Sequence, residues 1–418
     1  MHLKRFFYII SIFLLIIIFI YPYKILADEI DYSENEININ NIIETSNNID
    51  NLSSINSRSY VVLDRQSNTV MIGKNENQKR KMASTTKIMT ALIVLENSKL
   101  DTLVEVSKKS AETGGSRLGL KAGDKITIHD LLYGLMLCSG NDAAVCLAES
   151  VSGNLENFSN LMNKKAKELN LANTNFVTPH GLDNDNHYTT AYELAILSNY
   201  ALNNPTFLKI VNTKMATVYI NGYPKTLSNT NELLGNLTGV YGIKTGFTNG
   251  ANRCLVTACK RNNMDIICVV LGADTKNFRT QDSIKLIEYA FKNFEYFNLK
   301  NFVDTEFNKW KNLNSKKIYI NKGISQNIDI RYWDLDREII PLKKQDINQT
   351  KISISANLNL EAPISNGTII GNLQVINNDK ILYTTEIICT SDIKKKNIYN
   401  YIFDFFKNYS NILNYSIF

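Results

Sequence analysis

Ser84-Thr85-Thr86-Lys87-Ile88-Met89-Thr90-Ala91-Leu92-Ile93-Val94-Leu95-Glu96-Asn97 sets a serine and a lysine three residues apart at the head of an apolar segment. Ile88, Leu92 and Leu95 recur at helical spacing, so a helix is expected over about residues 85–97. Positions i and i+3 share a helix face, which brings the lysine amine within reach of the serine hydroxyl. Serine is a weak nucleophile until a base takes its proton. A lysine held among other cations and partly desolvated can be neutral enough to be that base. The head of the helix also presents backbone N–H groups and positive potential to an oxyanion. The spacing alone is weak evidence, since Ser391-Asp392-Ile393-Lys394 repeats it in a stretch that reads as solvated linker.

Two further motifs follow along the chain. Ser139-Gly140-Asn141 comes directly after an apolar helical tract, residues 131–137, and runs into Asp142-Ala143-Ala144. Its side chains are therefore presented from a rigid turn. A second copy, Ser152-Gly153-Asn154, reads as an ordinary helix-to-helix turn. Lys244-Thr245-Gly246 occurs once, just before strand-like sequence. A lysine and a hydroxyl there suit a substrate carboxylate, and the glycine lets a ligand backbone lie close along a strand edge.

Around these motifs the chain has 418 residues, 44% hydrophobic and 21% charged, enough for two or three domains and unlike a disordered or collagen-like protein. The net charge of +6 is weak for this length, and no concentrated basic surface marks a nucleic-acid binder. His2, His129, His180 and His187 are the only histidines, with no HExxH spacing and no Cys/His cluster, so neither a metal nor another cofactor is expected. Lys4 and Arg5 precede an apolar run over residues 6–21 and a possible cleavage point after Ala27, which reads as a signal peptide over residues 1–27, with an uncleaved anchor as the alternative. The rest is then exported. The six cysteines are expected to be mostly free, buried thiols.

Residues 28–57 carry seven acidic side chains and no lysine or arginine, and read as a disordered acidic spacer. Strands are expected at 59–64 and 68–72, helices near 129–137, 143–151, 155–169 and 190–203, then strands at 254–258 and 265–273 and a helix over 280–294. That order predicts an α/β sandwich whose sheet is assembled from both ends of the domain. Beyond residue 300 short β-prone runs, at 318–320, 328–332, 351–360, 369–375 and 381–388, predict a small all-β domain. The tail opens with Lys394-Lys395-Lys396 and sets Ile398, Ile402, Phe405, Tyr409, Ile412 and Leu413 on one helical stripe. It fits an interfacial membrane helix better than a terminal helix packed on the β domain.

The three motifs in this order are those of serine β-lactamases and penicillin-binding proteins. Residues 59–294 resemble the catalytic domain of the low-molecular-mass penicillin-binding proteins that act as D-alanyl-D-alanine carboxypeptidases. The resemblance is carried by residues 131–144 (LLYGLMLCSGNDAA), 173–183 (NTNFVTPHGLD) and 242–248 (GIKTGFT), and extends to Glu361-Ala-Pro-Ile-Ser-Asn-Gly367 and Ile370-Gly-Asn-Leu373 in the β-rich region. It implies a β-lactamase/transpeptidase-like α/β fold over residues 58–296, an antiparallel sheet flanked by helices plus a helical lobe. A β-rich domain at 300–390 and an amphipathic membrane-associating helix at 391–418 would follow.

By the same resemblance Ser84 would be the acylated nucleophile, Lys87 its general base, and Ser139 the relay of a proton to the leaving amine. Asn141 would bind the substrate backbone. Lys244 and Thr245 would orient the terminal carboxylate beside Gly246, the N–H groups of Ser84 and Phe247 would form the oxyanion hole, and Arg279 would lie near that carboxylate. His180 and His187 would have no catalytic role and would support the loop before Thr190. The implied partners are a peptidoglycan stem peptide ending in D-Ala-D-Ala, β-lactams as inhibitors, and a membrane surface, at the outer face of the cytoplasmic membrane or in the cell wall. Two other readings stay open. A β-lactamase would need a fast deacylating group, typically a glutamate between the second and third motifs, and no convincing equivalent stands there. A silent penicillin-binding sensor is disfavoured by the presence of every motif residue. One departure is Asn249-Gly250-Ala251-Asn252-Arg253, where the family more often has an alanine-glycine pair.

Overall fold

The computed structural model describes residues 54–415, with side chains through Lys407, together with Ile39, Ile42 and Leu52. The expected signal segment and most of residues 28–57 lie outside the described residues, as do the side chains of Tyr409, Ile412 and Leu413. Within the acidic segment, Ile39 and Ile42 are helical and buried, and Asn56 and Ser57 donate backbone N–H groups to Asp282. The end of that segment is thus attached to the fold. The chain divides into two compact units, residues 1–292 and 293–418.

In the first unit β1 (Ser59–Asp64) returns as β2 (Val70–Lys74), pairing Tyr60 with Lys74. A 3-10 turn, Ala83–Thr86, then runs into α1 (Lys87–Asn97), which is buried from Lys87 through Val94. The serine and lysine of the first motif therefore straddle a junction and do not share one helix from residue 85. In a 3-10 turn positions i and i+3 eclipse, which brings the two side chains together. After a short pair, β3 (Leu103–Glu105) and β4 (Lys125–Thr127), come α2 (Ile128–Met136), α3 (Asn141–Ser152), α4 (Leu155–Glu168), α5 (Ala191–Ala201) and α6 (Pro205–Val211). Their starts follow capping chemistry: Thr127, Asn154, Thr190 and Asn204 each accept a backbone N–H from the first turn, and Pro205 fills a position where no N–H is needed.

A hairpin of β5 (Met215–Ile220) and β6 (Tyr223–Ser228) leads to β7 (Val240–Thr248), β8 (Asn252–Arg261), β9 (Met264–Ala273) and α7 (Lys276–Asn293). The main sheet is antiparallel with strand order β2-β1-β9-β8-β7, so it is closed by the two ends of the unit, as the order of elements predicts. Strand alternation sends Val61, Leu63, Val256, Ala258, Ile267, Val269 and Leu271 into the core shared with the helical lobe. α7 is tied to the sheet strands by Arg261, which grips Glu288 with bonds of 2.8 and 2.6 Å.

β7 corrects one expectation. Lys244-Thr245-Gly246 does not precede a strand but forms the middle of one, at the sheet's edge. Its two glycines and lack of alternation hide it in the sequence, and pairing with β8 supplies the extended conformation.

The second unit contains β10 (Phe294–Asn298), α8 (Leu299–Asn314), β11 (Tyr319–Asn321), β12 (Ile330–Tyr332), β13 (Ile339–Lys343), β14 (Thr350–Ala356), β15 (Asn359–Glu361), β16 (Ile369–Asn377), β17 (Lys380–Cys389) and α9 (Ile398–Tyr415). A four-stranded sheet, β12-β17-β16-β14, carries Leu373, Val375 and Ile387 into its core. α8 departs from the all-β reading. Leu299, Val303 and Phe307 recur every four residues and are buried, and Asn298 caps the helix by accepting from Asn301.

Candidate active site

Three segments meet at the site: the 3-10 turn before α1, the turn before α3, and edge strand β7. Two non-glycine residues there take left-handed backbone conformations, Ala83 with φ 48° and Ser139 with φ 62°. Such conformations cost on the order of 1 kcal/mol or more and persist where the surroundings enforce them.

Lys87 is fully buried, and its Nζ donates to Ser84 Oγ at 2.6 Å, Asn141 Oδ1 at 2.7 Å and the backbone oxygen of His180 at 3.0 Å. Asn141 in turn donates its Nδ2 to Gly114 O at 2.8 Å, which points its amide oxygen at the lysine. The neighbouring Asp142 accepts from the backbone N–H groups of Leu118, Gly119 and Leu120 at 2.7–3.0 Å and so clamps the loop that follows Ser116. The Asn141 N–H donates to Ser116 O at 2.7 Å.

The loop at Pro179–Gly181 presses on the same turn. Gly181 has φ 91°, and a Cβ there would stand 2.0 Å from Ala83 O, so only glycine fits. His187 acts as a strut from behind. Its Nε2 lies 2.7 Å from Thr86 Oγ1, whose hydroxyl donates to Ala83 O, while its Nδ1 accepts from Val177 N at 2.9 Å. These partners fix a neutral ring with the proton on Nε2. Burial pushes the His187 pKa down to about 4, and burial followed by the Lys87 charge pushes His180 down to about 3. His180 serves the site through its carbonyl.

On β7, Lys244 is 1% exposed and donates its Nζ to Thr245 O at 3.0 Å. Thr245 Oγ1 is 2.7 Å from Thr230 Oγ1, and the Thr230 N–H donates to Leu137 O at 3.1 Å, two residues before Ser139. A Cβ on Gly246 would lie 3.1 Å from both Ala83 Cβ and Ser84 N. The absence of a side chain lets the strand run against the turn that holds Ser84.

Between these segments is a cavity of about 270 Å³. Of the expected residues, Ser84, Ser139, Thr245, Gly246, Phe247 and Arg279 line it, while Lys87, Asn141 and Lys244 are buried, the first two in contact beside Ser84. Ser139 Oγ is buried with no hydrogen-bond partner among the described residues. Ser116, Thr230, Arg253 and Lys276 line the cavity too and were missed by motif reading. Only Arg253 had a signal, since it falls in the tract that departs from the resembled family. Arg279 donates to Glu232, as does Thr280 Oγ1. Burial pushes the Glu232 carboxyl up, but Arg279 and Thr280 outweigh it and hold it below the usual range.

The six cysteines are free, and all but Cys138 are buried. Burial pushes the thiols of Cys146 and Cys259 up to about 12 and that of Cys254 up to about 11. Thiolate nucleophiles are thereby disfavoured. Among the described residues no group of three or more His, Cys, Asp or Glu could hold a metal ion.

Residues 44–275 match the D-alanyl-D-alanine carboxypeptidase family, and residues 304–395 match the C-terminal domain of penicillin-binding protein 5. The chain is 34% identical to the D-alanyl-D-alanine carboxypeptidase DacF of Bacillus subtilis over 344 residues, 81% of this chain and 86% of that protein. It is 36% identical over 241 residues to a D-alanyl-D-alanine carboxypeptidase of Streptomyces sp., covering 53% of this chain and 83% of that protein. Among solved structures, penicillin-binding protein 5 from Haemophilus influenzae superposes with a TM-score of 0.66 at 28% identity, over 82% of this chain and 99% of that one.

Proposed function

Because the chain belongs to the D-alanyl-D-alanine carboxypeptidase family, we propose that Ser84 is the nucleophile through which it works. The protein is a serine-type carboxypeptidase of the penicillin-binding kind, acting on peptidoglycan stems that end in D-Ala-D-Ala, and it serves the cell envelope. The 2.6 Å contact between Lys87 Nζ and Ser84 Oγ, at the wall of the cavity, carries the assignment of roles.

In this mechanism Lys87 takes the Ser84 proton as Oγ attacks the carbonyl carbon between the two D-alanines. Negative charge on the carbonyl oxygen is met by the N–H groups of Ser84 and Phe247. The C–N bond then breaks, a proton reaches the leaving amine through Ser139, and free D-alanine departs. The unsatisfied hydroxyl of Ser139 supports that relay. Water next attacks the ester, giving its proton to the base, and Ser84 is regenerated. β7 is an edge strand, so the peptide can lie along it as an added strand with Asn141 on its backbone. Lys244 and Thr245 orient the terminal carboxylate beside Gly246, on the side of the cavity that Arg279 also lines. A strained β-lactam amide would acylate the same serine.

The division of labour along the chain extends the reading. A signal segment at 1–27 would deliver the protein to the outer face of the cytoplasmic membrane, a spacer at 28–57 would lead to the catalytic domain at 58–296, and the β-rich domain at 300–390 would carry the helical tail at 391–418. No helix among the described residues is long and apolar enough to cross a membrane. Exposed Ile398, Ile402, Phe403, Phe405 and Phe406 after a run of three lysines support an interfacial contact instead.

The roles are tested by D-alanine release from diacetyl-L-Lys-D-Ala-D-Ala and by labelling with a penicillin. Ser84→Ala should abolish both, and Lys87→Gln should slow both by about a thousandfold or more. Residual labelling of Ser84→Ala at the wild-type rate would place the nucleophile elsewhere.

A further inference from the structure

Strand alternation gives the four-stranded sheet β12-β17-β16-β14 of the second unit two unlike faces. One holds Leu373, Val375 and Ile387 in the core. The other is open to solvent and bears side chains that end in amides and hydroxyls. The pairing register sets them in rows: Ser355, Asn372 and Glu386 stand opposite one another on β14, β16 and β17, and Ser353, Gln374 and Thr384 form the next row. All but the half-buried Gln374 are exposed. The Trp333 N–H donates to Glu386 O at 2.7 Å, and Thr385 Oγ1 donates to Trp333 O at 2.8 Å. Trp333 therefore prolongs β12 and continues the first row, which spans about 14 Å across four strands spaced about 4.8 Å apart.

Trp333 is 53% exposed. Arg331, two residues earlier on the same face, sets its guanidinium 5.9 Å from the indole and is itself paired with Asp334 at 3.3 Å. The surface thus combines one exposed aromatic ring with a flat field of neutral donors and acceptors. A pyranose ring is complementary to that combination, because C–H groups cover its faces while hydroxyl and N-acetyl groups surround its edge. An indole face suits the former, and amides and hydroxyls, which both donate and accept, suit the latter. Glu386 is the only charged side chain in the two rows and accepts from hydroxyls. Rows without lysine or arginine do not attract an anionic lipid surface or a nucleic acid. Apart from the tryptophan they also lack the apolar centre of a protein–protein interface, and exposed Ile369 and Ile381 stand in the flanking rows.

We propose that this face is a binding platform for the glycan strand of peptidoglycan, with Trp333 stacked on a sugar ring and Asn372 and Gln374 hydrogen-bonded to hydroxyl and N-acetyl groups along the strand. The proposal rests on the reading that the chain works on peptidoglycan, and it adds to the peptide site a second point of hold on the same polymer.

The test titrates the full chain with peptide-free glycan strands, made by stripping the stem peptides from peptidoglycan with an amidase, and follows the heat of binding and the indole emission. The wild-type chain should bind saturably with a change in emission, and Trp333→Ala should weaken binding about tenfold or more. Trp333→Phe should hold an intermediate affinity. Asn372→Ala combined with Gln374→Ala leaves the tryptophan in place and should weaken binding about tenfold. Every variant should release D-alanine from diacetyl-L-Lys-D-Ala-D-Ala within about twofold of wild type, because that peptide carries no sugar. A melting curve establishes that each variant is folded. Absence of saturable binding by the wild-type chain, or folded variants that bind as tightly as wild type, overturns the platform. Binding to anionic lipid vesicles that depends on Trp333, without binding to glycan, assigns the face to a membrane and overturns it as well. A wild-type chain that binds glycan but releases no D-alanine would instead overturn the carboxypeptidase reading and leave the platform standing.

Discussion

His187 shows how much one side chain packed behind the Ser84 turn can depend on being neutral. Its ring is 2% exposed, with one nitrogen on Thr86 and the other on Val177. Above its ordinary value of 6.5 neither the folded nor the unfolded chain protonates it, and its contribution to stability is constant. Below 6.5 the unfolded chain takes up a proton that the folded chain refuses until about pH 4, so stability falls as pH falls through that window. Between pH 7.5 and 5 the loss is roughly 2 kcal/mol from His187. His180 acts in the same direction, down to about pH 3. Urea unfolding at the two pH values should show this slope, and His187→Gln should reduce it by the His187 share, leaving that of His180. An equal slope in the variant would assign the acid sensitivity to other groups.

Among the elements, the decisive packing is of a loop and an edge strand against one 3-10 turn. Gly181 presses its α-carbon side against Ala83 O, and Gly246 lies against Ala83 Cβ and Ser84 N of the same turn. Gly181→Ala should therefore displace the turn and cost about 2 kcal/mol or more, with at least a tenfold slower acylation by penicillin. Acylation at the wild-type rate would mean that the loop yields and the turn does not. Legibility differs between these elements for physical reasons. α1 announces itself by spacing, and β8 and β9 by their apolar runs. β7 does not, because an edge strand threaded past the turn needs glycines that weaken every local strand signal. α8 was hidden for another reason: its aromatic and β-branched residues have high strand propensity, and only burial of Leu299, Val303 and Phe307 on one stripe favours the helix.

For the whole molecule, the proposed catalytic site and the helix proposed to contact a membrane fall in different units. The site's described side chains all belong to residues 1–292, and α9 belongs to residues 293–418. A chain ending at Lys396 should keep peptide hydrolysis in solution within about twofold and lose co-sedimentation with anionic lipid vesicles. Unchanged sedimentation would assign membrane contact to another part of the chain.

The amino-acid sequence by itself determined the motifs: a serine and a lysine at i and i+3, a hydroxyl and an amide on a rigid turn, and a lysine and a threonine beside a glycine. Those signals are local, because each depends on residue types within a few positions. It also determined, through the order of strands and helices, that the sheet closes from both ends. Only the tertiary structure decided what surrounds those groups. Asn141 and the His180 carbonyl reach Lys87 across 54 and 93 positions, and Glu232 takes Arg279 across 47. Such partnerships leave no periodic trace, since they arise when the sheet and the helical lobe bring distant turns to one cavity, and there a buried charge must be paired with whatever the fold sets beside it.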